Sequence, residues 1–459
     1  MRRLLFFLTL GASIASSMRL AHADEPRPMR MGPEGEYVMG AQPSGEADWT
    51  NRPAPMLMPI RMMMPGTWAA PGTWQLMGNA AFIGTNPGFS DAYDSELGRT
   101  HPYLLANWIM ARGRTSSGIF EGLVMLNFEA LTLSKHGWYE VGQAGEGLYD
   151  RQHAHQLLHQ ALIGVHAGDH VTFWGGQGSA PIGPPIFMHR ASNPSPTVPR
   201  KHHKGENPHE TLPVFGGTIE LGGFAIDAAV FSAYEPGPED NRAIPFAGVP
   251  KSYGGRVRYQ IGAGFEAQVS AIRLVTEGAA TQVSASVYGR WVGKFVVDAL
   301  LDGAADAGGH AHGIEEGGGP YPGPSTRTPF DPAHEHDAAH ATAHGSTRTA
   351  AALAEVAVRS ASLRDVGWSR VEVNQRLEPD QTRSTPWWFL TLGYEHVVWV
   401  DPQSIVGLGV FGESTYVVVP ESIAPFYGDR TGVTLTFGLR GQLMMMSDHH
   451  HHQHMNQAP

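Results

Sequence analysis

The chain has 459 residues, contains no cysteine and carries a formal net charge of −11 at pH 7. An acidic chain does not favour nucleic acid as a partner, and the lack of thiols excludes disulfide bonds and thiolate metal ligands. The mean hydropathy of −0.22 is typical of soluble proteins. It is equally typical of a β-barrel in which half of each strand faces a polar lumen.

Residues 1–23 have the features of a secretory signal peptide. Arg2 and Arg3 precede a short apolar stretch, and residues 21–23 read Ala-His-Ala, which fits a small-x-small cleavage site. The apolar stretch is too short for a membrane-spanning helix, which needs about 20 residues. We therefore expect an exported protein whose mature chain begins at Asp24 and has a formal charge of −14, since Arg2, Arg3 and Arg19 are removed.

Residues 24–71 are rich in Pro, Gly and Met and follow neither a helical nor a strand period. The composition predicts a flexible periplasmic arm. Its densest group of thioethers is Met56, Met58, Met62, Met63 and Met64. Pro and Arg interrupt any packing period there, so we interpret these methionines as auxiliary metal-collecting ligands.

From residue 72 to residue 442 the pattern changes to short segments in which polar and apolar residues alternate, as in residues 256–261 and 265–271. This period of two predicts strands with one apolar and one polar face. We predict sixteen strands, starting near residues 73, 103, 118, 157, 170, 214, 223, 254, 263, 280, 293, 350, 366, 386, 403 and 432.

The connections between these strands alternate between tight turns and long polar loops. Tight turns include residues 222–223, 262–264, 292–293 and 401–402. An even number of strands with short turns at one end predicts an all-β fold, a closed antiparallel up-and-down transmembrane barrel in the bacterial outer membrane, with lipid as its surroundings. The competing interpretation is a soluble β-sandwich, which would also alternate.

Two sets of side chains sharpen the prediction of a barrel. Aromatic residues near strand ends are expected to form interfacial girdles; they are Trp74, Trp108, Trp174, Trp291, Trp368, Trp387, Trp388 and Trp399. Charged residues in the alternating segments should face the lumen, where they either brace the wall or line a pore. This second set is Glu121, Glu129, Arg256, Arg258, Glu266, Arg290, Asp298, Glu355, Arg359, Arg370, Glu372, Arg376, Glu395 and Arg440.

The 24 histidines are unevenly distributed. One group lies in the predicted loop 303–349 and another in the predicted tail 443–459, both of low complexity and able to collect divalent metals without a fixed geometry. These groups are His310, His312, His334, His336, His340 and His344 in the loop, and His449, His450, His451, His452 and His454 in the tail.

A third group is not of low complexity and is our candidate for an ordered metal site. His153 and His155 are two positions apart, so in an extended chain both point to one face. The other candidate ligands are Met188, His189, His202, His203 and His209, with Asp150 and Glu210 as carboxylates that could orient an imidazole. The alternative is that these are ordinary loop histidines.

The motifs Asp-Arg-Gln-His-x-His at residues 150–155 and Gly-Pro-Pro-x-Phe-Met-His-Arg at residues 183–190 resemble those of an uncharacterised family of bacterial outer-membrane β-barrel proteins. The resemblance extends over most of residues 71–442 and departs from the family's pattern at Ala154. It implies a link with metal handling, copper in particular, and periplasmic metal-handling proteins as partners.

Thioether and imidazole ligands without cysteine favour copper, while imidazole also suits zinc or nickel. The sequence therefore predicts a non-enzymatic outer-membrane barrel that binds transition metal, most simply copper, and exports or sequesters it. The first alternative is a general porin for small solutes with incidental loop histidines. A remote alternative is an outer-membrane hydrolase using Ser179, Ser192 or Ser195 with His189, although no Gly-x-Ser-x-Gly motif accompanies them.

Overall fold

The computed structural model describes residues 71–446, with the exception of 93–97, 133–137, 142–148, 153–156, 185–211, 233–249, 262–264, 276–279, 293–294, 308–347, 361, 378–383 and 402–405. The strands are β1 Trp74–Asn86, β2 His101–Arg114, β3 Phe120–Asn127, β4 Trp138–Val141, β5 Tyr149–Gln152, β6 Leu158–Ala167, β7 Val171–Gly178, β8 Leu212–Leu221, β9 Phe224–Phe231, β10 Ser252–Ile261, β11 Phe265–Leu274, β12 Ala280–Val292, β13 Phe295–Ala307, β14 Arg348–Ser360, β15 Asp365–Leu377, β16 Ser384–Val400, β17 Val406–Val418 and β18 Thr431–Met446. Two short helices are α1 Glu129–Thr132 and α2 Ala424–Tyr427.

Sixteen of these strands form one closed antiparallel barrel, in which β1 pairs with both β2 and β18. The predicted number of strands and their closed arrangement are confirmed. The pair β4–β5 forms a separate two-stranded sheet and lies outside the barrel order, between β3 and β6 in the chain. We did not predict this hairpin, because each of its strands has only four residues and the alternating pattern needs longer segments.

The alternation in sequence becomes an alternation of burial. In β9, exposed and buried side chains follow one another without a break from Phe224 to Phe231. The outward-facing set is apolar and includes Val269 and Leu439, with exposed fractions of 63% and 58%. Because such a continuous apolar exterior is stable only against lipid, the chain is a transmembrane barrel of the bacterial outer membrane.

Both ends of the barrel wall lie at one rim. Gln75 near the start of β1 pairs with Met446 at the end of β18, and Trp74 pairs with Gly113, beside the turn between β2 and β3. The tight connections, such as residues 222–223 between β8 and β9, reach this rim, while the longest ones leave the opposite rim. Short turns mark the periplasmic side of such barrels.

Two predicted boundaries shift. β18 extends to Met446, so residues 443–446, assigned to the tail from sequence, are part of the last strand and pair with β1. β13 extends to Ala307 and β14 begins at Arg348, so the intervening loop is shorter at both ends than residues 303–349. At the ends of β13 and β18, small or apolar residues continue the strand up to the point where Gly or His becomes frequent. The signal, the arm and the rest of the tail lie outside the described residues.

None of the helices in the described part of the chain is long and apolar enough to cross a membrane.

Because the outward-facing side chains face lipid, the stability cost of a charged substitution should depend on its depth in the bilayer. Val269 lies in the middle of β11, and Leu221 lies beside the turn after β8; their exposed fractions are similar, 63% and 57%. We expect Val269→Arg to lower the free energy of unfolding by about 2–4 kcal/mol and Leu221→Arg by about 0–1 kcal/mol. Denaturant unfolding in lipid vesicles measures both. Equal losses would contradict the assigned positions of the two residues relative to the bilayer.

Candidate functional site

The predicted inner-wall charges face the interior wherever the structure describes their side chains. Asp298 and Arg359 retain side-chain exposures of 13% and 11%, and Glu129 lies on α1 rather than on a strand. The side chain of Arg376 lies outside the described part of the chain. The remaining members are buried: Glu121, Glu129, Arg256, Arg258, Glu266, Arg290, Glu355, Arg370, Glu372, Glu395 and Arg440.

Asp227 on β9 is at the centre of one cluster of buried charges on the inner wall. Its carboxylate accepts hydrogen bonds from Arg256 Nε at 2.9 Å and from Arg258 Nε at 3.2 Å. Thr218 Oγ1 donates to it at 2.8 Å and in turn accepts from Trp174 Nε1 at 3.0 Å. The side chains of Asp227 and Arg256 are 0% exposed. One carboxylate therefore offsets part of the desolvation cost of two guanidinium groups.

We did not single out Asp227 from the sequence. A signal was nevertheless present, because Asp227 is the only acid in β9, a strand of otherwise apolar residues. Its position is in phase with the inward-facing residues Ala225 and Ala229. A lone carboxylate in that phase must find a cation inside the barrel.

A second charge cluster surrounds Asp298 on β13. Arg290 on β12 and Arg359 on β14 both pair with its carboxylate. Tyr288 donates its hydroxyl to Asp298 Oδ1 at 2.6 Å. The carboxylate thus connects three consecutive strands on their inner faces, which is the ladder expected of charges in a barrel wall.

Two further clusters continue around the wall. Arg370 on β15 contacts Glu355 at 3.3 Å and Glu372 at 2.9 Å. Arg440 on β18 donates to Glu395 Oε2 at 2.7 Å. Each cluster joins residues on different strands, so the charges brace the wall.

A histidine takes part in the cluster between β2, β3 and β6. Arg112 Nε donates to Glu121 Oε1 at 2.8 Å, and His166 Nε2 lies 3.4 Å from Glu121 Oε2. The Nδ1 atom of His166 is 3.0 Å from Thr172 Oγ1. His166 therefore has a carboxylate and a hydroxyl as neighbours, which is a bracing role.

The chain after β7 turns into the barrel instead of leaving it. Residues 179–184 are buried throughout. The Gly183 amide donates to Ser270 Oγ at 2.9 Å, and Arg256 Nη1 donates to the Gly183 carbonyl oxygen at 3.2 Å. Gly183 has φ 72°, a left-handed conformation that favours glycine. Arg256 thus joins this inward segment, residues 179–184, to the Asp227 cluster.

Apolar side chains fill much of the interior beside the inward segment. Ala180 and Ile182 pack in one buried cluster with Trp108 and Trp174. A second cluster lies near the rim opposite the one that holds Gln75 and Met446. It joins Trp387 and Phe389 of the wall to Phe89, Phe426 and Tyr427 from the loops and α2. The lumen is therefore packed at these levels rather than lined by open water.

The prediction of aromatic girdles is wrong for half of its members. Trp108, Trp174, Trp368 and Trp387 are at most 4% exposed and face the interior. The outward-facing members are Trp74, Trp291, Trp388 and Trp399. Proximity to a strand end does not determine which face a residue occupies; the phase of the alternation does, as the neighbours Trp387 and Trp388 illustrate.

Of the predicted metal ligands and their orienting carboxylates, the structure describes the backbone of Asp150. Asp150 lies on β5, opposite Glu140 on β4. The other candidates lie outside the described residues: His153, His155, Met188, His189, His202, His203, His209, Glu210, the arm methionines Met56, Met58, Met62, Met63 and Met64, and all histidines assigned to the 303–349 loop and the tail. Among the residues that the structure does describe, no group of three or more His, Cys, Asp or Glu could hold a metal ion.

Of the residues of the remote hydrolase alternative, the structure describes Ser179. Ser179 is fully buried at the start of the inward segment. Ser192, Ser195 and His189 lie outside the described residues. A nucleophilic serine must be accessible to its substrate, and the burial of Ser179 makes it unsuitable for that role.

No family model matches the chain, and no curated protein matches it. Among solved structures, it is similar to a porin refined at 1.8 Å resolution, with 12% identity, coverage of 81% of this chain and 100% of that chain, and a TM-score of 0.42. It is also similar to OmpT, an outer membrane protein of Vibrio cholerae (10% identity, coverage 82% and 100%, TM-score 0.44). A third is the outer membrane channel DcaP of Acinetobacter baumannii (8% identity, coverage 83% and 99%, TM-score 0.43).

The Asp227 cluster predicts a large cost for removing its carboxylate. We expect Asp227→Ala to lower the free energy of unfolding by about 3–5 kcal/mol, because two buried guanidinium groups lose the carboxylate that they share. A matched control is Glu421→Ala, whose partner is Arg430 at 3.7 Å, with side-chain exposures of 88% and 59%. Its effect should stay within about 1 kcal/mol. Similar denaturant midpoints for both variants would contradict the bracing role of Asp227.

Proposed function

We propose that the protein is an outer-membrane channel with a narrow, selective lumen. The observation that carries this proposal is the inward segment, residues 179–184, which is anchored to the wall by Ser270 and Arg256. A chain held inside a barrel reduces its free cross-section. It also brings backbone groups and side chains to the path that a solute must take.

The burial of the wall charges supports a selective channel rather than a general porin. Arg256 and Arg370 are each 1% exposed. Charges around a wide aqueous pore would be hydrated, whereas these are satisfied by carboxylates on neighbouring strands. A general porin would require the inward segment to leave the lumen. Loss of the hydrogen bond between Gly183 and Ser270 should therefore change the conductance of a selective channel but not that of a general porin.

We expect Ser270→Ala to increase the open fraction of single channels in planar lipid bilayers. Removing one hydrogen bond of about 1 kcal/mol shifts the ratio of released to anchored segment by about fivefold. Ser286→Ala on the next strand is the matched control, because Ser286 is also buried and faces the interior. Deleting residues 180–183 should raise the conductance further. A deletion that leaves the conductance unchanged would contradict the proposal that this segment narrows the lumen.

We further propose that the solute or ligand is a transition-metal ion, most simply copper. The support is the composition: thioethers and imidazoles are abundant, and cysteine is absent. Two positions in the fold favour the central histidines over the loop and tail histidines. β5 ends at Gln152, immediately before His153, and the inward segment leads directly to residues 185–190, which include Met188 and His189.

In this proposal the central ligands are His153, His155, Met188, His189, His202, His203 and His209, with Asp150 and Glu210 orienting imidazoles. The arm and the tail collect the ion, and periplasmic metal-handling proteins exchange it with the barrel. Zinc or nickel is the alternative cargo, because imidazole binds them as well.

Two variants of the full barrel distinguish the ordered site from the low-complexity tracts. The first lacks residues 447–459 and carries His310, His312, His334, His336, His340 and His344 as alanine. The second keeps all of these but has His153→Ala, His155→Ala and His189→Ala. We expect Cu(II) binding, measured without a reductant on the detergent-purified proteins, to be tight in the first variant and lost in the second. Loss in the first and none in the second would contradict the ordered site.

A further inference from the structure

Three methionines form a row across adjacent strands on the inner face of the barrel. Met77 on β1 pairs directly with Met110 on β2, and Met110 pairs directly with Met125 on β3. Each of the three is 0% exposed. They are the only buried methionines among the described side chains. Backbone pairing extends the row by one strand, since Met444 on β18 is opposite Met77.

The register brings each pair of neighbouring thioethers, Met77 with Met110 and Met110 with Met125, within reach of a common point. Side chains directly opposite in an antiparallel pair have Cβ atoms about 4.5–5.5 Å apart. Methionine adds three rotatable bonds to this spacing, and a sulfur ligand lies about 2.3 Å from a metal ion such as zinc. Neighbouring sulfurs in one row can therefore approach the same ion without displacement of the backbone.

A histidine lies one residue beyond the end of the row, in a β-bulge. Met125 pairs with Gln160, but the next residue, Leu126, pairs with Leu158, so His159 is the extra residue of β6. His159 is 0% exposed. Bulges commonly redirect a side chain beside a functional site, and here the buried imidazole belongs to the residue that precedes Gln160, the partner of Met125.

The surroundings of the row are partly polar: the buried amides Gln75 and Asn79 flank Met77 on β1, and the buried Gln160 pairs with Met125. Met77, Met110 and Met125 belong to one buried cluster with Leu123 and Leu162. Ile182 of the inward segment belongs to the same cluster. A soft monovalent ion prefers thioether and imidazole ligands to these amide oxygens.

Methionine often only fills gaps in an apolar core. Gap-filling, however, does not require neighbouring methionines to share one row of the hydrogen-bond register, nor an imidazole in a bulge beside them. We infer that Met77, Met110 and Met125, together with His159, form a binding site for a soft monovalent cation, Cu(I) or Ag(I). This site is separate from the histidine ligands proposed above and does not depend on them.

The probe is Ag(I) as its nitrate, which has the ligand preference of Cu(I) and needs no reductant. Full-length protein in detergent is titrated calorimetrically in excess free methionine, so that isolated thioethers do not contribute. The test variant is Met77→Leu/Met110→Leu/Met125→Leu, which nearly conserves volume. The control is Met56→Leu/Met58→Leu/Met62→Leu in residues 24–71. We expect the test variant to lose one tight equivalent of Ag(I) and the control to retain it.

Equal numbers of tight Ag(I) equivalents in the wild type and the test variant would overturn the inference. If the triple variant fails to fold, as judged by heat-modifiable migration in electrophoresis, the single variant Met110→Leu decides. It should weaken binding by at least about tenfold, because even partners outside the first ligand sphere cost that much. Unchanged affinity in Met110→Leu would equally overturn the site. The His153→Ala/His155→Ala/His189→Ala variant should keep the Ag(I) equivalent, which separates this test from that of the proposed function.

Discussion

The pairing of β1 with β18 is the constraint on which the rest of the molecule depends. It runs from Gln75 opposite Met446 to Asn86 opposite Leu435, and without it two strand edges would expose unpaired amides and carbonyls to lipid, where nothing can satisfy them. Closure also fixes the phase of every strand. If β9, β10 and β11 each slipped by one residue, the side chains of Asp227 and Arg256 would face the bilayer and that of Val269 would face the lumen.

Inside this wall, charge and packing support one another. Arg256 contacts both the carboxylate of Asp227 and the carbonyl oxygen of Gly183, so the ion cluster of the wall also positions the chain that enters the lumen. The apolar residues of that chain then cover the wall around Trp174 and Met110. The buried charges are therefore more than a brace: they are coupled to the segment that sets the width of the path through the barrel.

The strands could be predicted from sequence because the period of two and the tight turns are local signals; every one of the sixteen predicted strands has a counterpart in the wall. The short β4–β5 hairpin carries too few residues to show a period. The contacts inside the lumen could not be predicted from the sequence, because they depend on the register between strands. Asp227 forms a charge cluster only because the register brings it to Arg256 and Arg258. Likewise, Met77, Met110 and Met125 form a row only because β1, β2 and β3 pair in this register.

The seam between β1 and β18 has a consequence for assembly. The two strands that must meet, Trp74–Asn86 and Thr431–Met446, stand at opposite ends of the barrel sequence, so their contact has the greatest sequence separation in the wall and the largest loop-closure entropy. Until that contact forms, the apolar faces and strand edges remain open to aggregation. Folding of this chain is thus expected to be slow and to require a bilayer or an escorting chaperone throughout its passage across the periplasm.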